Sequence, residues 1–502
     1  MRDDSGTAQQ AGHAARPLPG SLATYAGCIA AAVVVGVVFD RIGAPRTAAA
    51  LAAVVAMLLG MRDFRVFAVL TVFLLPFLPT SFPSQMMAGL SGQKLIGMAI
   101  LATGAAVFVA IAMRPGQLRI PSWRPVLLAY LAVFVGAALN GARSVGQIPE
   151  YFRALGVFRE TGPLAYLQVI LFAPMLVVAV AAVAALLVAN TRRAGWILVP
   201  VFSSAVLLSL SVCLQAFSAA STVADLAQQE ARRTLSALGL HANEIGLLLN
   251  MVLVQAMCAL GQARSLGSRG VLGGVALTLI AGVLMTFSRG AFLGLTVVVV
   301  YTLLVCRRGA WPVLIVVGLM LAAASLSDAV LQRALHGIGG NDIDLISSGR
   351  VDQIWRPLLP ELAKHPVVGG GHASILWSDA AQSRSILPVG HPHSAYLGSL
   401  LDVGIVGSAI TALYFVHAWR LLRRTAAELP PQPLQGFFQG AAACILLLLV
   451  QGLTDDSFMP GFTHAYMWLA YGAAVGIAAR PRPNPAAMTW RLVSHDREGD
   501  RA

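Results

Sequence analysis

Apolar stretches of about 17–25 residues recur along the whole 502-residue chain, and each is long enough to cross the hydrocarbon core of a bilayer as a helix. Inside a membrane the backbone can hydrogen-bond only to protein, so a spanning segment is either a helix or a strand of a closed barrel. Barrel strands alternate apolar with polar residues. Here the runs are continuous, as in 175–189 (Met-Leu-Val-Val-Ala-Val-Ala-Ala-Val-Ala-Ala-Leu-Leu-Val-Ala). The expected fold is therefore all-α, a polytopic transmembrane helical bundle of about 12–14 spans. Charged residues make up only 11% of the chain, less than half the roughly 25% of a soluble domain.

The runs fall at 21–39, 47–60, 66–80, 95–113, 125–140, 164–189, 196–217, 241–260, 271–287, 291–305, 311–326, 395–419, 434–453 and 463–479. They divide the chain into a tail (1–20), a helical block (21–326), a long polar loop (327–394), a second helical block (395–479) and a tail rich in Pro and Arg (480–502) that is expected to be disordered. The first run is expected to stay as a span rather than be cleaved. In 350–363, Ile354, Leu358 and Leu362 fall on one helical face, so a short helix on the membrane is expected there, and another at 149–160.

The net charge of +13 suggests nucleic acid until its distribution is examined. Alternate connections carry Arg62 and Arg65; Arg114, Arg119 and Arg124; Arg192 and Arg193; Arg264 and Arg269; Arg307 and Arg308; Arg420, Arg423 and Arg424. That side, which also takes both termini, is strongly positive, and the other side is neutral overall. Loop Arg and Lys mark the cytoplasmic face, so the excess charge is a topology signal and nucleic-acid binding loses its support. The expected location is a bacterial inner membrane, multi-pass, with 327–394 in the periplasm. The five cysteines (Cys28, Cys213, Cys258, Cys306 and Cys444) lie in or beside apolar runs, so no external disulfide framework is expected.

The chemistry-bearing residues gather on the outer side. Arginine binds phosphate oxygens with a planar fork and stays charged when partly desolvated. Candidates there include Arg232, Arg233, Arg289 and Arg350. Arg289 is distinctive because Ser288-Arg289-Gly290 stands between two apolar runs with no room for an ordinary loop. It reads either as an arginine snorkelling to headgroups or as an anion ligand at the membrane face. His391-Pro392-His393 ends the polar loop, where imidazoles can exchange protons near neutral pH. Tyr396 is the second residue of the next run. Asp402 is an acid inside a span, costly unless paired, and is either a buried partner that orients a neighbour or part of the site. Trp355 reads as an interfacial anchor or a platform for a sugar ring. Gly369-Gly370-Gly371 leaves the backbone open to close approach or positive φ. No metal-ligand motif such as His-Glu-x-x-His is present, so His391-Pro392-His393 does not argue for zinc.

In order, these pieces resemble the bacterial O-antigen ligase and O-antigen polymerase superfamily. The resemblance rests on Gly239-Leu240-His241-Ala242-Asn243-Glu244 after Arg232-Arg233, on Ser288-Arg289-Gly290, on the loop with Ser348-Gly349-Arg350, Trp355 and His365-Pro366-Val367-Val368-Gly369, and on His393-Ser394-Ala395-Tyr396-Leu397 followed by Asp402-Val403-Gly404-Ile405-Val406-Gly407. It covers roughly 230–410. The last motif usually has Glu where this chain has Asp402 and often Asn where it has Ser394, and His391 is an additional histidine.

The resemblance implies a membrane glycosyltransferase without a metal or other cofactor. Its donor would be a glycan on undecaprenyl diphosphate, and its acceptor a hydroxyl of lipid A–core, of another lipid-linked repeat or of a protein serine. Membrane lipids would surround it, and the product would be cell-surface polysaccharide. Arg289 would bind the diphosphate, with Arg232, Arg233 and Arg350 as further ligands. The base would be His393 or His391, alignment with the family pattern favouring His393. Tyr396, Trp355 and Asp402 would support them. The alternative is a transporter of an anion or lipid-linked sugar.

Overall fold

The computed structural model describes residues 63–79, 91–113, 115–159, 162–218, 235–305, 347, 349–453 and 457–481. The expected runs 21–39, 47–60 and 311–326, most of the tail 480–502 and the candidate ligands Arg232 and Arg233 lie outside them. The regular structure among the described residues is all helical, with no strand. The long helices are α1 (Phe64–Leu74), α2 (Gly92–Met113), α3 (Pro125–Ser144), α4 (Pro163–Asn190, with a π turn at Gln168–Phe172), α5 (Leu198–Ser218), α6 (Ala242–Gly261), α7 (Leu266–Met285), α8 (Arg289–Val305), α9 (Ala395–Glu428), α10 (Pro433–Gln451) and α11 (Ala465–Ala478). Among the described residues, eight helices are long and apolar enough to cross a membrane, and α1 and α8 are shorter apolar helices.

Each expected run on described residues is one of these helices. Their ends differ where chemistry intervenes. α1 stops at Leu74 because Pro76 forces the tighter turn Leu75–Phe77. α9 continues past its apolar run to Glu428, since Arg420, Arg423 and Arg424 can reach outward from a helix that protrudes.

The most enclosed helix is α6, which α7, α8 and α10 surround. It can be surrounded because glycines admit its neighbours. A methyl group on Gly436 or Gly440 of α10 would meet the α6 backbone at Cys258 and Val254 at 2.1 and 2.4 Å. Gly472 and Gly476 of α11 let the same four-residue spacing close on Ala181 and Ala185 of α4. Such small-residue seams drive helix packing where lipid removes the hydrophobic drive. An aromatic stack, Tyr130–Tyr414 at 4.3 Å with Trp468 beside both, joins α3, α9 and α11.

At one end of the bundle, 145–158 and 350–389 share a hydrophobic cluster built on Phe152, Tyr166, Ile354, Leu358 and Leu376. The expected short helices are present there, at Glu150–Ala154 and from Val351 through Ala363, and Ile354 and Leu358 are buried as their spacing requires.

Candidate active site where three helices begin

Three helix N-termini meet at the loop end, and each begins inside a motif noted above. α6 starts after His241, whose N–H donates to the Glu244 carboxylate at 2.6 Å. α8 starts after Ser288, whose hydroxyl oxygen accepts from the Ala291 N–H at 3.2 Å while its O–H donates to Asn243 Oδ1. α9 starts after Ser394, whose hydroxyl accepts from the Leu397 N–H at 3.4 Å. Serine and asparagine are equivalent as N-caps, which accounts physically for Ser394 at a position where asparagine is frequent.

The end of α10 ties these starts together. Gln451 Nε2 donates to the Gly290 carbonyl at 2.6 Å, and Asn250 Nδ2 of α6 donates to the Ala291 carbonyl at 2.8 Å. One residue further on, the Gly452 carbonyl accepts the orphan N–H of Ala395 at 2.8 Å. Tyr396 Oη donates to the Leu449 carbonyl at 2.9 Å. The Arg289 and His393 segments therefore border the same two-residue step, Gln451-Gly452. Arg289 is exposed and His393 half-buried.

The polar loop docks into a break in α9. Gly404 has φ 65° and ψ −169° inside the helix. A continuous helix would bond Ile405 N–H to Leu401 and Val406 N–H to Asp402. Instead the Leu401 and Asp402 carbonyls accept from Gly370 and Gly371 at 2.7 and 3.0 Å, and Ile405 and Val406 donate to Pro366 and Val367 at 2.9 and 3.2 Å. The Asp402 carboxylate completes the clamp. Its Oδ1 accepts from the Ser374 N–H (3.0 Å) and the Ser374 hydroxyl (2.8 Å), and its Oδ2 accepts from the Ala373 N–H (3.1 Å) and lies 3.0 Å from His372 Nδ1. Tyr166 Oη and Ala137 hold the His372 backbone from the opposite side. Farther out, burial pulls the Lys364 ammonium down, but hydrogen bonds to Asp379 and Glu361 outweigh it, so the group titrates above the usual lysine range and staples the loop.

The histidine segment is itself strained. His393 has φ 52°, and its N–H donates to His391 Nδ1 at 3.3 Å with the rings 4.1 Å apart. Phe287, two residues before Arg289, has φ 46°, and Ala373, beside His372, has φ 61°. Non-glycine residues held at positive φ cost of order 1–3 kcal/mol each and collect at functional sites. Trp355 Nε1 donates to the Pro392 carbonyl at 2.7 Å, so the indole supports the segment between the two imidazoles. Arg350 is half-buried and opens the π turn Val351–Trp355 that carries this indole.

An apolar groove of about 470 Å³ runs between α9 and α10, from Tyr396 and Leu449 near the histidines to Phe415 and Trp419. Of the residues singled out from sequence, the structure thus gathers Arg289, His391, His393, Tyr396 and Trp355 at one end, and Asp402 clamps the loop beside them. His372, Asn250 and Gln451 were not anticipated. His372 directly follows the glycine triplet, and the two amides are polar residues inside apolar runs, which is the signal that marks them.

Residues 274–412 match the family described as O-antigen ligase. No curated protein matches the chain. The matched stretch includes Ser288-Arg289-Gly290, the docked loop, both histidines and the helix break at Gly404. The chain is a multi-pass helical membrane protein whose stretch 274–412 is similar to the O-antigen ligase family.

Proposed function

We propose that this protein transfers a glycan from undecaprenyl diphosphate to an acceptor hydroxyl at the periplasmic face of a bacterial inner membrane. The observation that carries the reading is the meeting of three helix N-termini with Arg289 and His393 around Gln451-Gly452. Each helix start contributes roughly half a positive charge, and such ends favour phosphate. In this reading Arg289 and these helix ends bind the diphosphate, with Arg350 as a further ligand, and Arg232 and Arg233 keep the same proposed role. The groove beginning at Tyr396 suits a polyprenyl chain.

The acceptor oxygen attacks the anomeric carbon as its proton passes to His393. The bond from that carbon to the phosphate oxygen breaks, and undecaprenyl diphosphate leaves with the electron pair. A single displacement of this kind inverts the anomeric centre. His391, whose Nδ1 accepts the His393 N–H, holds the base rather than serving as it. Fixed cationic groups aimed at the developing charge provide the stabilisation that is often the largest catalytic contribution. Asp402 is occupied by hydrogen bonds to the loop, which weighs against a carrier that would use it as an ion ligand.

The purified protein in proteoliposomes with an undecaprenyl-diphosphate glycan should glycosylate either lipid A–core or a second lipid-linked repeat, and EDTA should leave the rate unchanged. Transport of the donor across the vesicle without a new glycosidic bond would refute the reading. Trp355→Phe separates two roles of the indole. Phenylalanine keeps an aromatic face for a sugar but loses the bond to Pro392, worth about 0.5–1.5 kcal/mol. A positioning role predicts a severalfold drop in transfer, whereas undiminished transfer identifies a stacking platform.

A further inference from the structure

We propose that a basic cleft at the opposite end of α3 and α9 binds the phosphodiester headgroup of an anionic phospholipid. The cleft has a volume of about 420 Å³ and is lined by Arg124 at the start of α3 and by His417, Arg420 and Arg424 of α9, with Val126 and Leu421 as apolar wall. It lies at the far end of α9 from His393, and the segment Ser394 to Arg420 would span roughly 39 Å if the helix were unbroken.

Three guanidiniums converge there from two helices. Arg424 Nε pairs with Glu428 at 2.7 Å. Arg124 and Arg420 form no ion pair among the described residues. His417 Nε2 is buried without a hydrogen-bond partner in the protein. The α3 N-terminus adds its own partial positive charge. Such a site attracts an anion with several oxygens, and arginine is the side chain that grips phosphate bidentately.

The surroundings choose between a lipid and a free anion. One helical turn toward the bundle centre from Arg124 and His417 stand Leu128 and Leu413, which are 54% and 61% exposed. A bound phosphate would sit directly above apolar surface available to acyl chains. Arg423 over the Trp419 ring at 5.7 Å marks the same level, as interfacial aromatic residues do. Basic pockets between spans at a membrane surface commonly hold anionic headgroups.

The test uses the full-length protein in neutral detergent, titrated with phosphatidylglycerol, phosphatidylcholine or inorganic phosphate and read by native mass spectrometry. Phosphatidylglycerol should bind at least tenfold more tightly than phosphatidylcholine. Arg124→Gln with Arg420→Gln should remove that preference while glycan transfer persists. Arg420→Gln alone, at an exposed position, should weaken it severalfold and serves if the double variant does not fold. A preference unchanged in both variants overturns the proposal. So does millimolar inorganic phosphate that displaces phosphatidylglycerol completely, which would identify a site for a free anion.

Discussion

Alanine at position 393 should reduce glycan transfer by about 10²–10⁴-fold, the usual contribution of a positioned general base, with the protein inserted and produced as before. The control that isolates the imidazole is His393→Gly. His393 sits at φ 52°, a conformation glycine adopts without strain. His393→Gly should therefore melt no lower than His393→Ala in detergent, yet transfer as poorly. Recovery of activity in the glycine variant would show that the backbone, not the ring, matters there. Arg289→Ala should cost about 10²–10³-fold by removing a fixed donor from the leaving diphosphate. Arg289→Lys should restore little, because an ammonium cannot present two parallel donors. Full transfer by either alanine variant would end the proposed mechanism.

Much of this arrangement was visible in the chain, for identifiable reasons. Helical spans are written in long apolar runs because the lipid around them offers no polar partner. Arg289 stood out because a guanidinium between two closely spaced runs demands a reason, and Ser288 and Gly290 beside it proved to be a helix cap and a carbonyl held by Gln451. Asp402 announced that it needed a partner. Which partner was hidden, because His372 and Ser374 lie about thirty residues away along the chain and meet Asp402 only when the loop folds back. Gln451 and Asn250 escaped notice because a single amide in an apolar run can satisfy itself on any nearby carbonyl. The left-handed residues Phe287 and His393 carry no local signature at all. Neither does the break at Gly404, since glycine is ordinary in membrane helices.

That break yields the second large effect. In Gly404→Ala the new methyl group would lie 2.5 Å from the Val367 carbonyl carbon and 2.7 Å from the Gly369 nitrogen, on a residue held at φ 65°. Both constraints are relieved if α9 closes into a continuous helix, with Ile405 and Val406 bonding back to Leu401 and Asp402. The loop then loses the four backbone bonds that seat Pro366, Val367, Gly370 and Gly371, each worth about 0.5–1.5 kcal/mol, and the Asp402 clamp with them. Gly369→Ala reaches the same end from the other side, since its methyl group would meet the Asp402 carbonyl carbon at 2.3 Å. The expected outcome is selective: the bundle inserts and stays folded, the loop is expelled, and transfer falls to background. Limited trypsin digestion of purified protein reads this directly, because Lys364 and Arg384 lie on the docked loop. Rapid cleavage there, with the helical fragments still associated, is the predicted signature. Gly404→Ala protein that resists trypsin and transfers glycan normally would show that the loop does not depend on the broken helix for its seat.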